Sequence, residues 1–331
     1  MRNQLDSEKP MRHWMVTAII LSACGGAAQQ DAAVPGPQPS QQLAGSCPEP
    51  ARIDSVAMIT DLFRLADDSM AGRLIGSPQL IEARDYLASR FEALGIAAPA
   101  GGRLQRIEVA SERLPGVSEA WNVLGVVRGT ATPERWIVVT AHYDHVGIGR
   151  PVGGDSIYNG SDDNASGAAA LAVVAEYFRE HPIGRSILFA AVDGEERGMW
   201  GSRGLVENPP VPLESIDANI NLDMVSRNDR NELYVAGTSH YPQFTEAVES
   251  AARCSRITLL AGHDTDAAGA RENWTGQSDH IQFHRKGIPF LYFGVEDHPD
   301  YHRPGDHPDR AMKGFYVEAV RAVIGVIERL P

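Results

Sequence analysis

The chain has 331 residues, of which 43% are hydrophobic and 22% are charged, so it can bury a complete hydrophobic core. This composition argues against a disordered or fibrous protein, and the lack of a repeat of about 20–50 residues argues against solenoids and propellers. The formal net charge of −13 has the wrong sign for a protein that binds the phosphate backbone of a nucleic acid. We therefore expect one large domain and no nucleic-acid partner.

Residues 1–24 have the pattern of a secretory signal peptide. Basic residues come first, and the apolar run that follows (14–21) is too short to span a bilayer. The sequence Leu-Ser-Ala-Cys that ends at Cys24 resembles the lipobox of bacterial lipoproteins, in which the cysteine is acylated. We expect an exported lipoprotein, anchored to the outer membrane through Cys24 and facing the periplasm or the cell surface. The alternative is an ordinary signal with a free cysteine.

The next segment, residues 25–50, has almost no large apolar side chains and is rich in Pro, Gln, Ala and Gly. Such a composition predicts a flexible tether, followed by a single domain over residues 51–331. Cys47 and Cys254 are the two other thiols of the chain. An oxidising periplasm favours a Cys47–Cys254 disulfide, but the sequence leaves this pairing open because it gives no Cα separation.

Helical and strand-like segments alternate along the domain. A helix opens at Ser77-Pro78 and runs to Leu94, where Gly95 terminates it. Further helices are predicted at Ala165–Glu180, Tyr241–Ala252 and Asp309–Arg329. Apolar strand-like runs lie at 121–127, 136–141, 186–192, 218–222, 233–236, 257–260 and 288–293. Continuous apolar strands with helices between them predict an α/β fold, a three-layer α/β/α sandwich around a mixed, mostly parallel sheet.

Three of these strands run directly into residue types that bind metal ions. The sequences at their ends are His142-Tyr143-Asp144-His145, Asp193-Gly194-Glu195-Glu196 and Asp223. In an open α/β sheet, ligands bind in the crevice outside the carboxyl ends of the strands. We therefore expect these side chains to converge.

Two loops add further candidate ligands, 159–167 before a predicted helix and 296–306 after the last strand. Imidazole and carboxylate ligands fit Zn²⁺, and an excess of carboxylates fits two ions that share one of them. A paired site of this kind hydrolyses esters or amides by activating water. Each motif alone has a simpler explanation, such as a helix N-cap for the first loop, but their joint occurrence at one sheet edge favours a metal site. Chemistry alone does not choose between Asp162 and Asp163, between Glu195 and Glu196, or among His298, His302 and His307.

Together the motifs resemble the di-zinc aminopeptidases of clan MH, which include aminopeptidase Y and bacterial leucyl aminopeptidases and, more distantly, glutaminyl cyclases and glutamate carboxypeptidases. Five motifs occur in that family's order: His-Tyr-Asp-His, Asp-Asp-Asn-Ala-Ser-Gly, Asp-Gly-Glu-Glu-x-Gly, Asn-Leu-Asp-Met and Tyr-His-Arg-Pro. The resemblance implies two Zn²⁺ ions, although such donors also accept Mn²⁺ or Co²⁺. It implies these ligands: His142 and Asp223 on one ion, Glu196 and His302 on the other, and Asp163 bridging.

The resemblance also implies roles for residues that are not ligands. Glu195 is expected to be the general base, and Asp144 to orient the imidazole of His142. Tyr301 is expected either to donate a hydrogen bond to the developing oxyanion or simply to pack beside His302. The short segment 96–121 leaves no room for an inserted protease-associated domain. The chain departs from the family where His307 follows the last motif, because the family often has Thr there.

The predicted function is that of a zinc metallopeptidase, most simply an aminopeptidase that acts on peptides. One alternative is a glutaminyl-peptide cyclase that uses one zinc, and another is a non-catalytic, receptor-like protein of the same fold. The complete set of five ligand-type residues favours the two-metal hydrolase. The sequence predicts neither the preferred amino-terminal residue nor, with certainty, the choice between aminopeptidase and carboxypeptidase.

Overall fold

An eight-stranded sheet forms the centre of the structure, a computed structural model that describes residues 47–266 and 272–331. The strands in chain order are β1 (Leu104–Glu108), β2 (Glu119–Val127), β3 (Thr132–His142), β4 (Gly147–Val152), β5 (Asp155–Tyr158), β6 (Arg185–Val192), β7 (Ile216–Leu222), β8 (Glu232–Ala236), β9 (Thr258–Ala261) and β10 (Phe290–Gly294). The helices are α1 (Ser55–Leu65), α2 (Pro78–Ala93), α3 (Gly167–Glu180), α4 (Trp200–Glu207), α5 (Thr245–Cys254), α6 (His280–Arg285) and α7 (Lys313–Ile327). Strands β4 and β5 pair separately as a hairpin.

The central sheet is mixed and mostly parallel, as predicted. Its strand order is β1-β2-β6-β3-β7-β10-β8-β9. Strands β6, β3, β7 and β10 are parallel to one another, and β9 is parallel to β8. The remaining neighbours, β1 with β2, β2 with β6, and β10 with β8, are antiparallel. Central parallel strands are covered on both faces, which explains the continuous apolar run in the second half of β3.

Helices cover both faces of the sheet and complete the predicted three-layer sandwich. Successive residues of β3 point to opposite faces, so that Ile137 and Val139 join the larger apolar cluster whereas Val138 joins the smaller one. Helices α1, α2, α3, α5 and α7 contribute to the larger cluster, and α4 and α6 to the smaller. The first half of α3 is rich in buried alanine, and these small side chains let the helix pack closely on its neighbours.

Some elements differ from the prediction. The helix predicted from Ala165 begins at Gly167, because Ser161–Ser166 form an irregular, fully buried turn. The helix predicted from Asp309 begins at Lys313, after a single 3₁₀ turn. The sequence analysis did not predict β1, the β4–β5 hairpin, α4 or α6.

The described part of the chain begins at Cys47 and from there to Pro331 forms one unit. The predicted signal peptide, Cys24 and most of the predicted tether lie outside the described residues, so these assignments stay predictions. Within the ranges that are described, no helix combines the length and the apolar character needed to cross a bilayer.

Cys47 and Cys254 lie together at disulfide distance, in the pairing that the sequence left open. Their Cα atoms are 5.4 Å apart, within the usual range for a bonded pair. The pair joins the start of the described chain to the end of α5, across a sequence separation of 207 residues.

We expect the Cys254→Ser substitution to lower the free energy of unfolding by about 2–5 kcal/mol, because the cross-link restricts the unfolded chain. Urea unfolding of the wild type and the variant, each with and without a reductant, measures this effect. The reductant should shift the midpoint of the wild type alone. A wild-type midpoint that does not respond to the reductant would mean that the two cysteines are not bonded in solution.

Candidate metal centre

The ends of three adjacent parallel strands bring the predicted residues to one edge of the sheet. Strand β3 ends at His142, β6 runs into the loop that carries Glu195, and β7 is followed directly by Asp223. Because β6, β3 and β7 are neighbours, these side chains face a common crevice. Asp163 reaches the crevice from the turn before α3, and His302 reaches it from the loop after β10.

His142, Asp163 and Asp223 form a first donor group, and all three are buried. The Nε2 atom of His142 is 3.3 Å from Asp223 Oδ1 and 3.4 Å from Asp163 Oδ1. Its Nδ1 atom lies 3.2 Å from the carbonyl oxygen of Asp144, which can only accept a hydrogen bond. In the neutral ring Nδ1 therefore carries the proton, and the lone pair of Nε2 faces the donor group.

His145, Asp163, Glu196 and His302 form a second donor group. The Nε2 atom of His302 is 3.0 Å from Asp163 Oδ2 and 3.1 Å from Glu196 Oε1. Asp163 thus directs one oxygen to each donor group. The structure brings together all five residues predicted as ligands, together with His145, which the sequence analysis did not select. The sequence signal for His145 was its place at the end of the His-Tyr-Asp-His motif.

The carboxylates of the two groups draw protons onto His142 and His302. Burial alone would lower the pKa of His302, but hydrogen bonds to Asp163 and Glu196 raise it to about 10. Burial likewise opposes the charged form of His142, yet Asp223 and the other carboxylates around it raise its pKa well above the usual range. An imidazole binds a cation only in its neutral form, so cation binding must release these protons and must weaken as the pH falls.

Hydrogen bonds hold the shared Asp163 in place. The Asp306 carboxylate accepts the backbone N–H of Asp162 at 3.0 Å and that of Asp163 at 3.2 Å. The side-chain amide of Asn164 donates to the Leu222 carbonyl at 2.9 Å, which ties this turn to the end of β7. The peptide bond between Asp163 and Asn164 is cis. Asp306, the last residue of the Tyr-His-Arg-Pro-Gly-Asp segment, therefore positions a donor on a distant turn.

The contacts distinguish between the candidate ligands among which sequence chemistry could not choose. One oxygen of Asp162 accepts hydrogen bonds from the N–H and O–H of Ser226, both at 2.7 Å, so Asp162 anchors the turn. His298 faces the other oxygen of Asp162 at 3.4 Å. His307 pairs with an aspartate of β5 at 3.2 Å. Of the three candidate histidines in this part of the chain, His302 is the one in a donor group.

Asp144 contacts the site with both its side chain and its main chain. Its carboxylate accepts the backbone N–H of Glu195 at 3.0 Å and that of Glu196 at 3.3 Å. The carboxylate is 3.5 Å from His142 Nδ1, whereas the backbone carbonyl of Asp144 is nearer. Asp144 therefore fixes the Glu195–Glu196 loop with its side chain and contacts the His142 ring with both its side chain and its main chain, and its role in orienting that ring stays a prediction.

Glu195 belongs to neither donor group but lines the same cleft. Burial raises the pKa of its carboxyl, His142 lowers it, and Asp279 and Asp223 raise it again, so that it lies well above its ordinary value. The other residues that line this polar cleft include His142, Asp163, Glu196, Asp223, Met224, Trp274, Tyr292, Tyr301 and His302.

The ring of Tyr301 stacks on that of His302, with centroids 4.0 Å apart and an angle of 22° between the planes. The packing role considered for Tyr301 is therefore present. Tyr301 also lines the cleft, and its role as a donor to an oxyanion stays a prediction.

A fully buried arginine supports the loops beneath the site. The Arg73 guanidinium donates to the carbonyl oxygens of Tyr143, Asn159 and Gly160, each at 2.8 Å. Burial lowers its pKa to about 10, while nearby carboxylates, of which Asp144 has the largest effect, act in the opposite direction. Arg73 is thus still charged at neutral pH and neutralises part of the negative charge of the donor groups.

Comparisons with known proteins agree with this picture. The sequence model of peptidase family M28 matches residues 122–327. A probable zinc metalloprotease of Pyrenophora teres f. teres is 26% identical over 245 residues, which cover 71% of this chain and 50% of the relative. Aminopeptidase YwaD of Bacillus subtilis is 29% identical over 238 residues, covering 66% and 47% of the two chains. The chain spans about half the length of the curated relatives it matches.

Solved structures show the same fold. The glutaminyl cyclase of Porphyromonas gingivalis has a TM-score of 0.68 at 20% identity, covering 83% of this chain and 98% of that one. The zinc aminopeptidase BSAP of Bacillus subtilis has a TM-score of 0.63 at 18% identity, covering 84% and 95%. At these identities the likeness concerns the fold alone.

Proposed function

Because the chain belongs to peptidase family M28, the family that its motifs predicted, we propose that it is a metal-dependent exopeptidase that removes amino-terminal residues from peptides. The observation that carries this proposal is the pair of donor groups that share Asp163 at the carboxyl edge of the sheet. We also propose, from residues 1–24 alone, that the protein is exported and anchored to a membrane through Cys24.

The donor groups fit two divalent cations. They combine imidazole nitrogens with carboxylate oxygens, the set that Zn²⁺ prefers, and they also suit Mn²⁺ or Co²⁺. Glu196 Oε1 is buried between two imidazole nitrogens, His145 Nδ1 at 2.8 Å and His302 Nε2 at 3.1 Å. A buried carboxylate is costly unless a positive charge lies close to it, and a bound cation would supply that charge.

When bound, two such ions would lower the pKa of a coordinated water and polarise the scissile carbonyl. In this proposal Glu195, which is free of both donor groups, accepts the proton from that water and returns it to the leaving amine. The raised pKa of Glu195 makes its carboxylate a stronger base than that of a solvent-exposed glutamate. Tyr301 donates a hydrogen bond to the developing oxyanion.

The proposal is tested by metal analysis and substrate screening on the same preparation. We expect two zinc ions per chain and hydrolysis of aminoacyl-anilides and dipeptides with a free amino group. The matching N-acetylated compounds serve as controls and should not be cleaved. One zinc per chain together with pyroglutamate formation from glutaminyl peptides would instead establish a cyclase. Release of carboxyl-terminal residues would establish a carboxypeptidase.

A further inference from the structure

We propose that Thr140 and Asn221 are positioning residues for the metal ligand Asp223, because they fix the direction in which the hydroxyl of Ser278 donates. Both residues are fully buried, and neither lines the cleft. The inference rests on the metal site of the proposed function, but it concerns the binding of the cations and not the reaction that follows.

A stripe of polar side chains runs along one face of β7 towards the metal site. Asn219 and Asn221 occupy alternate positions of this strand, and Asp223 stands at the next position of the same alternation. The apolar residues between them belong to the larger apolar cluster, so the two asparagines face the opposite layer. Burial of an amide is costly unless it is hydrogen-bonded, so the partners of these amides account for their presence.

Hydrogen bonds join this stripe to β3 and to the segment before α6. The side-chain nitrogen of Asn219 donates to the carbonyl oxygen of Val138 at 3.1 Å and to the hydroxyl oxygen of Thr140 at 3.0 Å. The Thr140 hydroxyl donates to Asn221 Oδ1 at 2.6 Å, and Asn221 Nδ2 donates to Ser278 Oγ at 2.9 Å. All four polar side chains in this series are fully buried.

The direction of the series follows from its first acceptor. A backbone carbonyl can only accept, so Asn219 must turn its nitrogen, and not its oxygen, towards Val138 and Thr140. The Thr140 hydroxyl therefore has its proton free for Asn221, which turns its oxygen to Thr140 and its nitrogen to Ser278. Because the oxygen of Ser278 accepts from Asn221, its hydroxyl proton is left to point elsewhere.

The recipient of that proton is the carboxylate of Asp223. Burial raises the pKa of Asp223, whereas His142, and after it a hydrogen bond from Ser278, act in the opposite direction. Asp223 Oδ1 lies 3.3 Å from His142 Nε2 in the first donor group. A hydrogen bond to a ligating carboxylate fixes its orientation towards the cation. A reversed Ser278 hydroxyl would instead present a lone pair to the carboxylate, which would repel it.

The experiment measures the zinc affinities of the demetallated full chain and of a Thr140→Val variant by titration against a competing chelator. Valine keeps the shape of threonine but removes the hydroxyl, so the series is broken between Asn219 and Asn221. Loss of an outer hydrogen-bond partner of a ligand costs about 10–100-fold in metal affinity. Because Thr140 acts through two further side chains, we expect one of the two zinc ions to bind about 10-fold more weakly.

Two further variants provide the controls. Thr140→Ser restores the hydroxyl and should bind both ions as the wild type does. Ser186→Ala removes a buried hydroxyl at the start of β6, which donates to the Pro133 carbonyl at 2.8 Å, and should leave both affinities unchanged.

A Ser278→Ala background separates positioning from a merely structural effect. If Thr140 acts through the Ser278 hydroxyl, Thr140→Val should cause no further loss of affinity once that hydroxyl is absent. An equal loss in both backgrounds would refute the proposal. Wild-type affinities in a Thr140→Val variant that circular dichroism shows to be folded would refute it as well.

Neutron diffraction from zinc-loaded, deuterium-exchanged wild-type crystals provides a test that does not depend on the folding of a variant. We expect the hydroxyl deuteron of Ser278 to lie between its Oγ and the Asp223 carboxylate. A deuteron that points to Asn221 would overturn the proposal. A wild-type chain that cleaves no peptide but shows the expected affinities would overturn the proposed function and leave the positioning role standing.

Discussion

Replacement of Glu195 by glutamine is expected to lower kcat by about 10²–10⁴-fold, the usual contribution of a general base, while both cations stay bound. Glutamine keeps the size and position of the side chain but cannot accept a proton from the attacking water. Because Glu195 belongs to neither donor group, its substitution removes no ligand.

Steady-state kinetics with an aminoacyl-anilide and metal analysis of the same sample measure both parts of this expectation. A Glu249→Gln variant, altered at an exposed position of α5, is the control and should match the wild type. Wild-type turnover in the Glu195→Gln variant would refute the role of Glu195. A loss of metal that accompanies the loss of turnover would make Glu195 a ligand instead.

The Asp163→Asn substitution is expected to remove both cations and reduce peptide hydrolysis to background. Asp163 Oδ1 lies 3.4 Å from His142 Nε2, and Asp163 Oδ2 lies 3.0 Å from His302 Nε2, so one carboxylate serves both donor groups. An amide offers a single oxygen and no charge, and it therefore cannot join two ions.

Elemental analysis after gel filtration measures the bound metal, and circular dichroism checks that the variant is folded. The exposed Asp309→Asn variant controls for the loss of one negative charge and should keep two equivalents of metal per chain. A folded Asp163→Asn protein that also retains two equivalents of metal would show that Asp163 does not bridge two cations.

The sequence predicted the parts of the fold in which burial dictates the residue pattern. Strands β3 and β6 lie in the middle of the sheet with helices on both faces, so each contains a continuous apolar run, whereas the equally buried β7 alternates apolar residues with Asn219 and Asn221. Strand β1 and the β4–β5 hairpin are largely exposed and carry no such run, which is why they were missed. The short helices α4 and α6 were missed as well, since each contributes only a few buried residues.

The sequence also predicted most of the candidate site, but not all of it. Sequence chemistry placed the donors at one sheet edge, and the family resemblance selected His302 and Asp163 from their neighbours. Neither selected His145, because its place in the second donor group depends on Gly160, which leaves room for the ring, and on the carbonyl of Arg73. Such a constraint comes from residues that meet only after the chain has folded.

Arg73 has a consequence for the removal of the proposed cations. Its carbonyl contacts, to Leu65, Tyr143, Asn159 and Gly160, involve no donor atom of either group, and the guanidinium keeps its positive charge near neutral pH whether or not a cation is bound. The scaffold around the cations thus has an internal counter-ion of its own. We therefore expect that removal and return of the metal ions is reversible, because the loops around Tyr143 and Asn159 stay anchored throughout.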